Sequence, residues 1–338
     1  PLVFNRYRAE IDAELQSSLA EYQSPMYDMV RYHLGWIDEK GCPRQNPVGK
    51  VLRPTLCLLA CEATGGDWHK ALPAAAAIEL VHNFSLVQDD IQDNDPERHH
   101  RPTVWSIWGK PQAINAGTAM HVLASLTLLH LRERGISVEK QRRAQYLLNE
   151  SCLRMMEGQY LDISYESRLD IGVSDYLDMI DKKTAALIGC SLETGALLGN
   201  DDESVVRAFR NLGRDMGIAF QIRDDILGIW GGEKETGKLL AGDIQRRKKS
   251  LPIVYALEKA EGEMRGELVK VYQDQVVDPE GVATVLRILE AVEAQLYAQG
   301  VAEEYRDRAL AEIERIVHLP WARDSLKEMA HFVVKRKF

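Results

Sequence analysis

Apolar side chains recur at every third or fourth position through most of this chain, a period that is typical of α-helices and not of β-strands. The pattern predicts helices over approximate ranges that cover most of the sequence: 5–35, 54–63, 70–93, 112–134, 138–166, 174–198, 201–230, 250–260 and the remainder to about 335. No Pro-, Gly- or Ser-rich linker interrupts these ranges. We therefore predict one all-α domain spanning 1–338.

The helix that begins near Lys70 has two distinct faces. One is an apolar stripe at spacings of four, three and four residues: Leu80, Phe84, Val87 and Ile91. The other carries polar side chains at spacings of three, four and four residues: His82, Ser85, Asp89 and Asp93. The stretch 94–103, which is polar and contains two prolines, predicts a loop after this helix.

A second acidic cluster lies in the helix predicted over 201–230. Its polar residues share one face: Gln221, Asp224, Asp225 and Gly228. The opposite face can pack through Ile218, Ile222 and Ile226. Before it, Ser174 is expected to cap the helix predicted over 174–198, because Ser is a favoured N-terminal cap.

Composition narrows the class of protein. A formal charge of -9 argues against a general nucleic-acid binder. The basic run Arg246 to Lys249 is a local exception, in which we expect Lys248 to reach a site and its neighbours to be solvated. The five cysteines form no CxxC pair, which suits a reducing compartment. With no signal peptide and no apolar run of transmembrane length, we expect a cytoplasmic protein.

The two acidic clusters predict a metal site for a phosphorylated ligand. Carboxylates crowded on a largely apolar helix repel one another and lose hydration, so they need a cation. Mg²⁺ suits such a site because it binds a few carboxylates together with waters and phosphate oxygens. Cationic side chains that could hold diphosphates are also available: Lys50, Arg53, Arg98, Arg101, Lys183, Lys238 and Lys248.

These features occur in a recognisable order of motifs, namely GKVLRP, ELVHNFSLVQDDIQD, RPTVW, EGQYLDIS, KTAALIG, FQIRDDILGIWG, TGK and GDIQRRKKSLP. From about Lys50 to Leu257 the chain resembles the trans-isoprenyl diphosphate synthases, also called the polyprenyl synthetase family. The resemblance implies a bundle of antiparallel helices around a central cavity. It also implies a homodimer.

The resemblance assigns roles to the acidic residues. Asp89 and Asp93 would be Mg²⁺ ligands on the allylic diphosphate, with Asp90 supporting them. Asp224 would bind the remaining ion of three, with Asp225 behind it.

The resemblance assigns the other site residues as well. The allylic diphosphate would be held by Lys183, Lys238 and Arg98. Isopentenyl diphosphate would be held by Lys50, Arg53 and His82. Thr184 and Gln221 would stabilise the allylic cation through oriented dipoles. Residues 232–238 resemble a nucleotide-binding P-loop, but Leu239 replaces the required Ser or Thr, so we interpret them as a lid that presents Lys238.

The implied activity is head-to-tail condensation of an allylic diphosphate with isopentenyl diphosphate. Phe84 and Ser85, which precede Asp89 by about one helical turn, would limit the product length. A bulky Phe84 beside a small Ser85 favours a medium chain, namely geranylgeranyl diphosphate.

Some residues depart from the family pattern on the isopentenyl diphosphate side. Val51 replaces an Arg, His99 replaces the second of two Arg residues, Thr118 replaces an Asp and Gln88 stands where His is common. In the second cluster, Gly228 replaces the third Asp of DDxxD. Two alternatives therefore stay open: a terpene synthase that ionises an allylic diphosphate without isopentenyl addition, and a non-catalytic subunit of a heteromeric synthase.

Overall fold

The computed structural model describes residues 1–44, 51–231, 241–274 and 276–335. Its described residues are almost entirely α-helical, so the predicted all-α class is confirmed. The chain separates into two compact units: the first comprises Pro1–Glu150, Cys190–Arg210 and Leu319–Ser325, and the second comprises Ser151–Gly189, Asn211–His318 and Leu326–Phe338. The single domain over 1–338 stays a prediction.

The elements that belong wholly to the first unit are α1 (Val3–Leu19), α2 (Pro25–His33), α3 (Leu52–Ala63), a 3₁₀ turn (Trp68–Ala71), α4 (Leu72–Gln92), β1 (Glu97–Arg98), β2 (Arg101–Pro102), α5 (Val104–Trp108) and α6 (Lys110–Leu129). Helix α4 packs against α6, and α1 and α3 also pack on α4.

The elements that belong wholly to the second unit are α8 (Val173–Ile180), a π-helical turn (Asp181–Ala185), α11 (Gly242–Gln245), α12 (Leu251–Lys259), α13 (Gly262–Gln273), α14 (Pro279–Ala291) and α15 (Ala294–Ile316). Residues of four helices are divided between the units: α7 (Val138–Tyr165), α9 (Ala186–Gly199), α10 (Glu203–Trp230) and α16 (Pro320–Lys335). No described helix combines the length and the apolar character needed to cross a membrane.

Proline positions explain where broad helical patterns divide. The pattern over 5–35 becomes α1 and α2, because Ser24 is extended and Pro25 starts the next helix. The remainder to 335 becomes α13 to α16, and Pro279 and Pro320 begin two of these helices.

Helix α4 carries the first acidic cluster and follows the predicted pattern. Leu80 and Val87 are buried, as the apolar stripe predicts, whereas Asp93 is exposed. The helix ends at Gln92 with Asp93 as its C-terminal cap, and the next residue, Asn94, has a left-handed φ of 53°. Asn tolerates this conformation after a helix better than most residues do. Asn94 therefore helps to end the helix directly after the acidic cluster.

The segment predicted as a loop contains a β-hairpin. Strands β1 and β2 pair antiparallel, with Arg98 opposite Arg101. The two residues between them, His99 and His100, have φ angles of 51° and 58°, as a type I′ turn requires. His is among the non-glycine residues that tolerate this region. His99 therefore has a structural task in the turn.

The helix predicted over 174–198 is interrupted. It begins as α8 at Val173, and its N-terminal N–H groups are satisfied by carboxylates: Gly172 donates to Asp175 at 2.9 Å and Val173 donates to Glu258 at 2.7 Å. The prediction that Ser174 is the cap is wrong, because the residue in the extended capping position is Gly172. After α8 the chain widens into the π-helical turn before α9.

Candidate active site

The first acidic cluster contains carboxylates in different environments. Asp90 is 2% exposed, and its Oδ1 accepts a hydrogen bond from Arg98 Nε at 2.8 Å. Burial raises the pKa of Asp90, and the Arg98 guanidinium opposes that rise. This ion pair fits the supporting role predicted for Asp90 better than a role as a direct metal ligand. It also ties Arg98, predicted to hold the allylic diphosphate, to the cluster.

Asp89 and Asp93 offer donors that fit Mg²⁺. Asp89 lies in the last turn of α4 and Asp93 is its C-terminal cap, whose N–H donates to the Asp89 carbonyl oxygen at 2.8 Å. Carboxylates are disfavoured at the negative end of a helix dipole, so this placement requires compensation by positive charge. Within the described residues, no group of three or more His, Cys, Asp or Glu side chains is arranged to hold a metal ion by itself. A cation here would therefore take its other ligands from water and phosphate, as Mg²⁺ does.

Arg53 and His82 meet in the first unit, as the resemblance implied. Arg53 Nη1 lies 3.2 Å from His82 Nε2. A guanidinium can only donate, so Nε2 accepts and Nδ1 carries the proton. Burial and then the charge of Arg53 lower the pKa of His82 well below its usual value, which makes the imidazole neutral at pH 7. Lys50, the third residue predicted to hold isopentenyl diphosphate, lies outside the described residues.

His33 is a member of this group that the sequence did not indicate. Burial and then the charge of Arg98 lower its pKa to about 3, while a hydrogen bond with Asn83 opposes this shift. Arg101, a candidate diphosphate ligand, stacks over the Tyr32 ring at 4.2 Å and donates to the Ile37 carbonyl oxygen at 3.2 Å. Since His33 belongs to no motif, only the packing of α2 could reveal it.

The predicted chain-length residues lie on α4 beside α6. Phe84 is 8% exposed, and its ring centroid is 5.2 Å from that of His121. Burial lowers the pKa of His121, so its ring is a neutral partner for Phe84. The Ser85 hydroxyl donates to the His82 carbonyl oxygen at 2.7 Å. His121 was not predicted, because its spacing does not distinguish it from other α6 residues.

In the second unit, Asp225 is fully buried and accepts four hydrogen bonds from residues that the structure describes. Oδ1 accepts from Lys248 Nζ at 2.9 Å and from Gln221 Nε2 at 3.2 Å. Oδ2 accepts from Leu251 N–H at 3.0 Å and from the Tyr176 hydroxyl. A carboxylate has about four lone-pair sites, so these donors use its capacity. This favours the predicted position behind Asp224, which is only partly buried, over direct metal binding by Asp225.

Lys248 is held between two carboxylates. Its Nζ lies 2.9 Å from Asp225 and 3.5 Å from Asp243. Burial lowers the pKa of Lys248, but these two carboxylates outweigh burial and raise it well above the usual value. The Asp243 carboxylate occupies the space into which a Cβ at Gly228 would project. This explains why the second cluster has no side chain at 228.

Lys249 contradicts the prediction that the neighbours of Lys248 are solvated. It is 3% exposed, its Nζ donates to the Glu166 carbonyl oxygen at 2.9 Å, and it lies 4.9 Å above the Tyr272 ring. Burial lowers its pKa to about 8. The prediction failed because a run of charged residues was assumed to face solvent, although Lys249 is buried and its ammonium group finds a carbonyl oxygen and an aromatic ring.

Lys183 and Thr184 lie on the π-helical turn, and both have partners. Lys183 Nζ lies 2.5 Å from Asp162 Oδ2. Burial raises the pKa of Asp162, but the charge of Lys183 outweighs it and holds this pKa below the usual value. The Thr184 hydroxyl donates to Gln221 Oε1 at 2.7 Å. The predicted cation-stabilising pair is therefore in direct contact.

Two contacts hold the π-helical turn in place. The carboxylate of Asp181 accepts from Arg154 on α7 at 2.7 Å and from Arg214 on α10 at 2.8 Å. On α7, a Cβ at Gly158 would overlap the Lys183 backbone. π-Helical turns are frequent at functional sites, so this turn marks the segment independently of any motif.

The predicted residues that the structure describes divide between the two units. The first unit contains Asp89, Asp90, Asp93, Arg53, His82, Arg98, Phe84 and Ser85. The second unit contains Lys183, Thr184, Gln221, Asp224, Asp225 and Lys248. Lys238 and the lid proposed at 232–238 lie outside the described residues. Tyr176, Asp162, Asp181 and Asp243 were not predicted, because their importance comes from contacts distant in sequence.

Comparison with known proteins identifies relatives over nearly the whole chain. Residues 41–289 match the family model described as Polyprenyl synthetase. The (2E,6E)-farnesyl diphosphate synthase of Mycobacterium tuberculosis is 38% identical over 317 residues, which cover 92% of this chain and 86% of that protein. Geranylgeranyl diphosphate synthase of the same organism is 37% identical over 319 residues, covering 94% and 90%. The crystal structure of polyprenyl synthetase from Streptomyces coelicolor matches with a TM-score of 0.90 at 35% identity, covering 98% of each chain.

Proposed function

Because this chain belongs to the polyprenyl synthetase family, we propose that it is a Mg²⁺-dependent trans-prenyltransferase that condenses an allylic diphosphate with isopentenyl diphosphate. The observation that carries this proposal furthest is the contact between Thr184 and Gln221, beside Lys183 on the π-helical turn. A lysine that can hold a leaving diphosphate stands next to neutral oxygen acceptors that can stabilise a carbocation. Such a combination suits ionisation of an allylic diphosphate.

The reaction has three bond changes. The allylic C1–O bond breaks, C1 bonds to C4 of isopentenyl diphosphate, and C2 of the isopentenyl unit loses a proton to the released pyrophosphate. When bound, Mg²⁺ supplies positive charge to the diphosphate oxygens that become the leaving group. Asp89, Asp93 and Asp224 would hold these ions. We propose that three Mg²⁺ ions bind.

The basic residues bind the two diphosphates. Lys183 would exchange part of its contact with Asp162 for the allylic diphosphate, since lysine acts as a movable point charge. Lys238 and Arg98 would assist it. Lys50, Arg53 and His82 would hold isopentenyl diphosphate. His82 accepts from Arg53 and keeps its Nδ1 proton, so it can donate to a phosphate oxygen without being charged.

Asp90, Asp225 and Lys248 support the site from behind. Asp90 orients Arg98 through their ion pair, and Lys248 balances the buried charge of Asp225. A buried carboxylate without such a partner is strongly disfavoured. Accordingly, we assign these residues to positioning the groups that touch the diphosphates.

We propose geranylgeranyl diphosphate as the product, although the relatives include synthases named for farnesyl and for geranylgeranyl diphosphate. Phe84 with His121 behind it would form the floor that the growing chain meets. Ser85, which is small, would leave room for one more isoprene unit than a bulky residue would.

We propose that the partner of this chain is a second copy of itself. Helix α6 exposes Ile114, Val122, Leu126 and Leu129, and helix α7 exposes Leu153, Met156, Tyr160 and Ile163. On α7, Leu153 and Tyr160 are seven residues apart, which places them on one face of the helix. Contiguous exposed apolar side chains mark interaction surfaces. The formal charge of -9 gives no support for a nucleic-acid partner.

We also propose a cytoplasmic location. All five cysteines are free, and four of them, Cys57, Cys61, Cys152 and Cys190, are buried. Unpaired thiols are typical of a reducing compartment.

The proposal is tested by product analysis. Protein and Mg²⁺ are incubated with geranyl or farnesyl diphosphate, with and without isotope-labelled isopentenyl diphosphate. A longer diphosphate that forms only when both substrates are present supports condensation. Hydrocarbon or alcohol from the allylic substrate alone indicates a terpene synthase. Turnover that appears only beside a second protein indicates a subunit of a heteromeric enzyme.

A further inference from the structure

Tyr176 is a buried residue in the second unit with no role in the function described so far. It lies on α8, is 1% exposed, and donates its hydroxyl to Asp225 Oδ2. Burial and then the negative charge of Asp225 raise its pKa well above the usual value, so the phenol keeps its proton. The hydrogen bond therefore has a fixed direction, from Tyr176 to Asp225.

We propose that Tyr176 is a positioning residue that orients Gln221 and Thr184 toward the allylic cation by holding the carboxylate of Asp225. This inference deepens the proposed condensation and rests on it. In the proposed mechanism, Tyr176 itself contacts neither the substrate nor Thr184. It acts through a chain of hydrogen bonds.

The first step of that chain is the orientation of the Asp225 carboxylate. Tyr176 and the Leu251 N–H, at 3.0 Å, both donate to Oδ2. The two donors come from α8 and from the start of α12, so together they restrict rotation of the carboxylate. Oδ1 is then left to face Lys248 and Gln221.

The second step is the orientation of the Gln221 amide. An amide side chain can present its oxygen or its nitrogen, and its partners decide which. Asp225 Oδ1 can only accept, so it selects the Gln221 NH₂ group, at 3.2 Å. The Gln221 oxygen must then face Thr184, at 2.7 Å.

The third step fixes the Thr184 hydroxyl. Because the Gln221 oxygen accepts, Thr184 spends its only proton on that contact. The lone pairs of Thr184 Oγ1 remain for a positive centre. A carbocation is stabilised by lone pairs and repelled by a hydroxyl proton, so this direction determines whether Thr184 assists ionisation or opposes it.

The test compares two allylic analogues on the Tyr176→Phe variant. One carries an ammonium group in place of the cationic carbon, and the other is a thiolodiphosphate, whose hydrocarbon part is neutral and whose C–S bond does not ionise. We expect the variant to bind the ammonium analogue about tenfold more weakly, with binding of the neutral analogue within about twofold of wild type. Equal weakening of both analogues, or of neither, would overturn the proposal, since a purely structural role does not distinguish charge.

Tyr272→Phe is the matched control. Tyr272 is 4% exposed in the same unit, and its hydroxyl has no hydrogen-bond partner within the described part of the chain. Its loss should leave the affinity ratio of the two analogues unchanged. If Tyr272→Phe changes the ratio as much as Tyr176→Phe, the effect is one of tyrosine loss in general and the proposal fails.

Two further variants keep the test decisive. At position 176, 4-aminophenylalanine keeps the ring and an N–H donor, so it should restore the ratio even if Tyr176→Phe folds poorly; failure of this folded variant to restore it contradicts the proposal. Combining Tyr176→Phe with Thr184→Val should be non-additive, because both act through one chain. Additive effects would also overturn it. Failure of the proposed function is separate, because wild-type protein would then form no elongated product.

Discussion

Neighbouring aspartates in each cluster differ because their surroundings differ. Asp90 and Asp225 are buried and paired with Arg98 and Lys248, whereas Asp89 lies half-buried in the last turn of α4. A carboxylate whose lone pairs are used by protein donors has no capacity left for a metal ion. We therefore propose that the buried aspartates position cations and that the more accessible ones bind metal.

At the residue scale, Phe84→Ala should lengthen the product by at least one isoprene unit. Removing the ring opens space in front of His121, now 5.2 Å from the Phe84 ring by centroid. Phe209→Ala is the control, because Phe209 is also buried in the first unit. Both changes cost about 3–5 kcal/mol of core packing, so the chain length is measured by mass spectrometry on protein shown to be folded. An unchanged length would mean that another residue sets the stop.

Lowering the pH from 6.5 to 5 should destabilise the protein through its buried histidines. The pKa of His33 is about 3 when folded, against an ordinary value of 6.5, so the unfolded chain binds more protons in this window. Stability is present above pH 6.5 and is lost as pH falls, by about 2 kcal/mol for His33 over this range.

Urea unfolding at each pH measures this loss. The groups that most affect the pKa of His33 are Arg98, Asn83, Arg101 and His99. None of them is a carboxylate, so none offsets the protonation of His33. His33→Gln should flatten the pH dependence between 6.5 and 5. A slope equal to that of wild type would show that His33 is protonated in the folded protein.

Sequence motifs predict individual site residues but not the partners that pack against them. Arg53, His82, Lys183 and Thr184 were predicted because their motif positions are local in sequence. Their partners depend on packing: Asp162 precedes Lys183 by 21 residues, and Tyr176 precedes Asp225 by 49. No sequence period reports contacts of that kind, so the supporting residues became visible only in the fold.

At the scale of elements, the π-helical turn is the feature that helical periodicity missed. The pattern over 174–198 predicted one helix, but Asp181 is anchored by Arg154 and Arg214 and the turn widens by tertiary contact. By contrast, α4, α7 and α10 were predicted nearly to their ends, because long amphipathic patterns depend on local sequence.

Gly158→Ala should therefore reduce both stability and turnover. The added Cβ would overlap the Lys183 backbone and displace the turn, at a cost of about 1–3 kcal/mol for overpacking. We expect kcat to fall because Lys183 and Thr184 move together. Steady-state kinetics and thermal unfolding measure the two effects.

Gly266→Ala provides the comparison. Gly266 is also helical and in the second unit, but a Cβ there would meet open space. That change should stabilise the protein by up to about 1 kcal/mol through helix propensity and leave kcat unaltered. Equal kinetics for the two variants would show that the close approach at Gly158 does not position the turn.

At the scale of the whole molecule, the order of motifs was enough to predict the family and the all-α class. It did not predict the division into two units, each assembled from segments that are separated in sequence. Such interleaving arises from long-range packing, which no local pattern encodes. The apolar side chains exposed on α6 and α7 are the surface that we propose a second copy of the chain covers.

Leu153→Glu should convert the proposed homodimer into a monomer. Leu153 is 63% exposed on α7, and a charge at this point would be buried without a partner if a second copy covers it. Leu296→Glu is the control, because Leu296 is 67% exposed on a different helix, α15. Sedimentation velocity reports the masses. A wild-type monomer, or a Leu153→Glu dimer, would contradict the proposed interface.

Counting labelled isoprene units in the product shows whether this chain joins isopentenyl units to an allylic diphosphate. With farnesyl diphosphate, Mg²⁺ and isotope-labelled isopentenyl diphosphate, we expect geranylgeranyl diphosphate that carries a single labelled unit. An unlabelled hydrocarbon or alcohol as the only product of farnesyl diphosphate would contradict it.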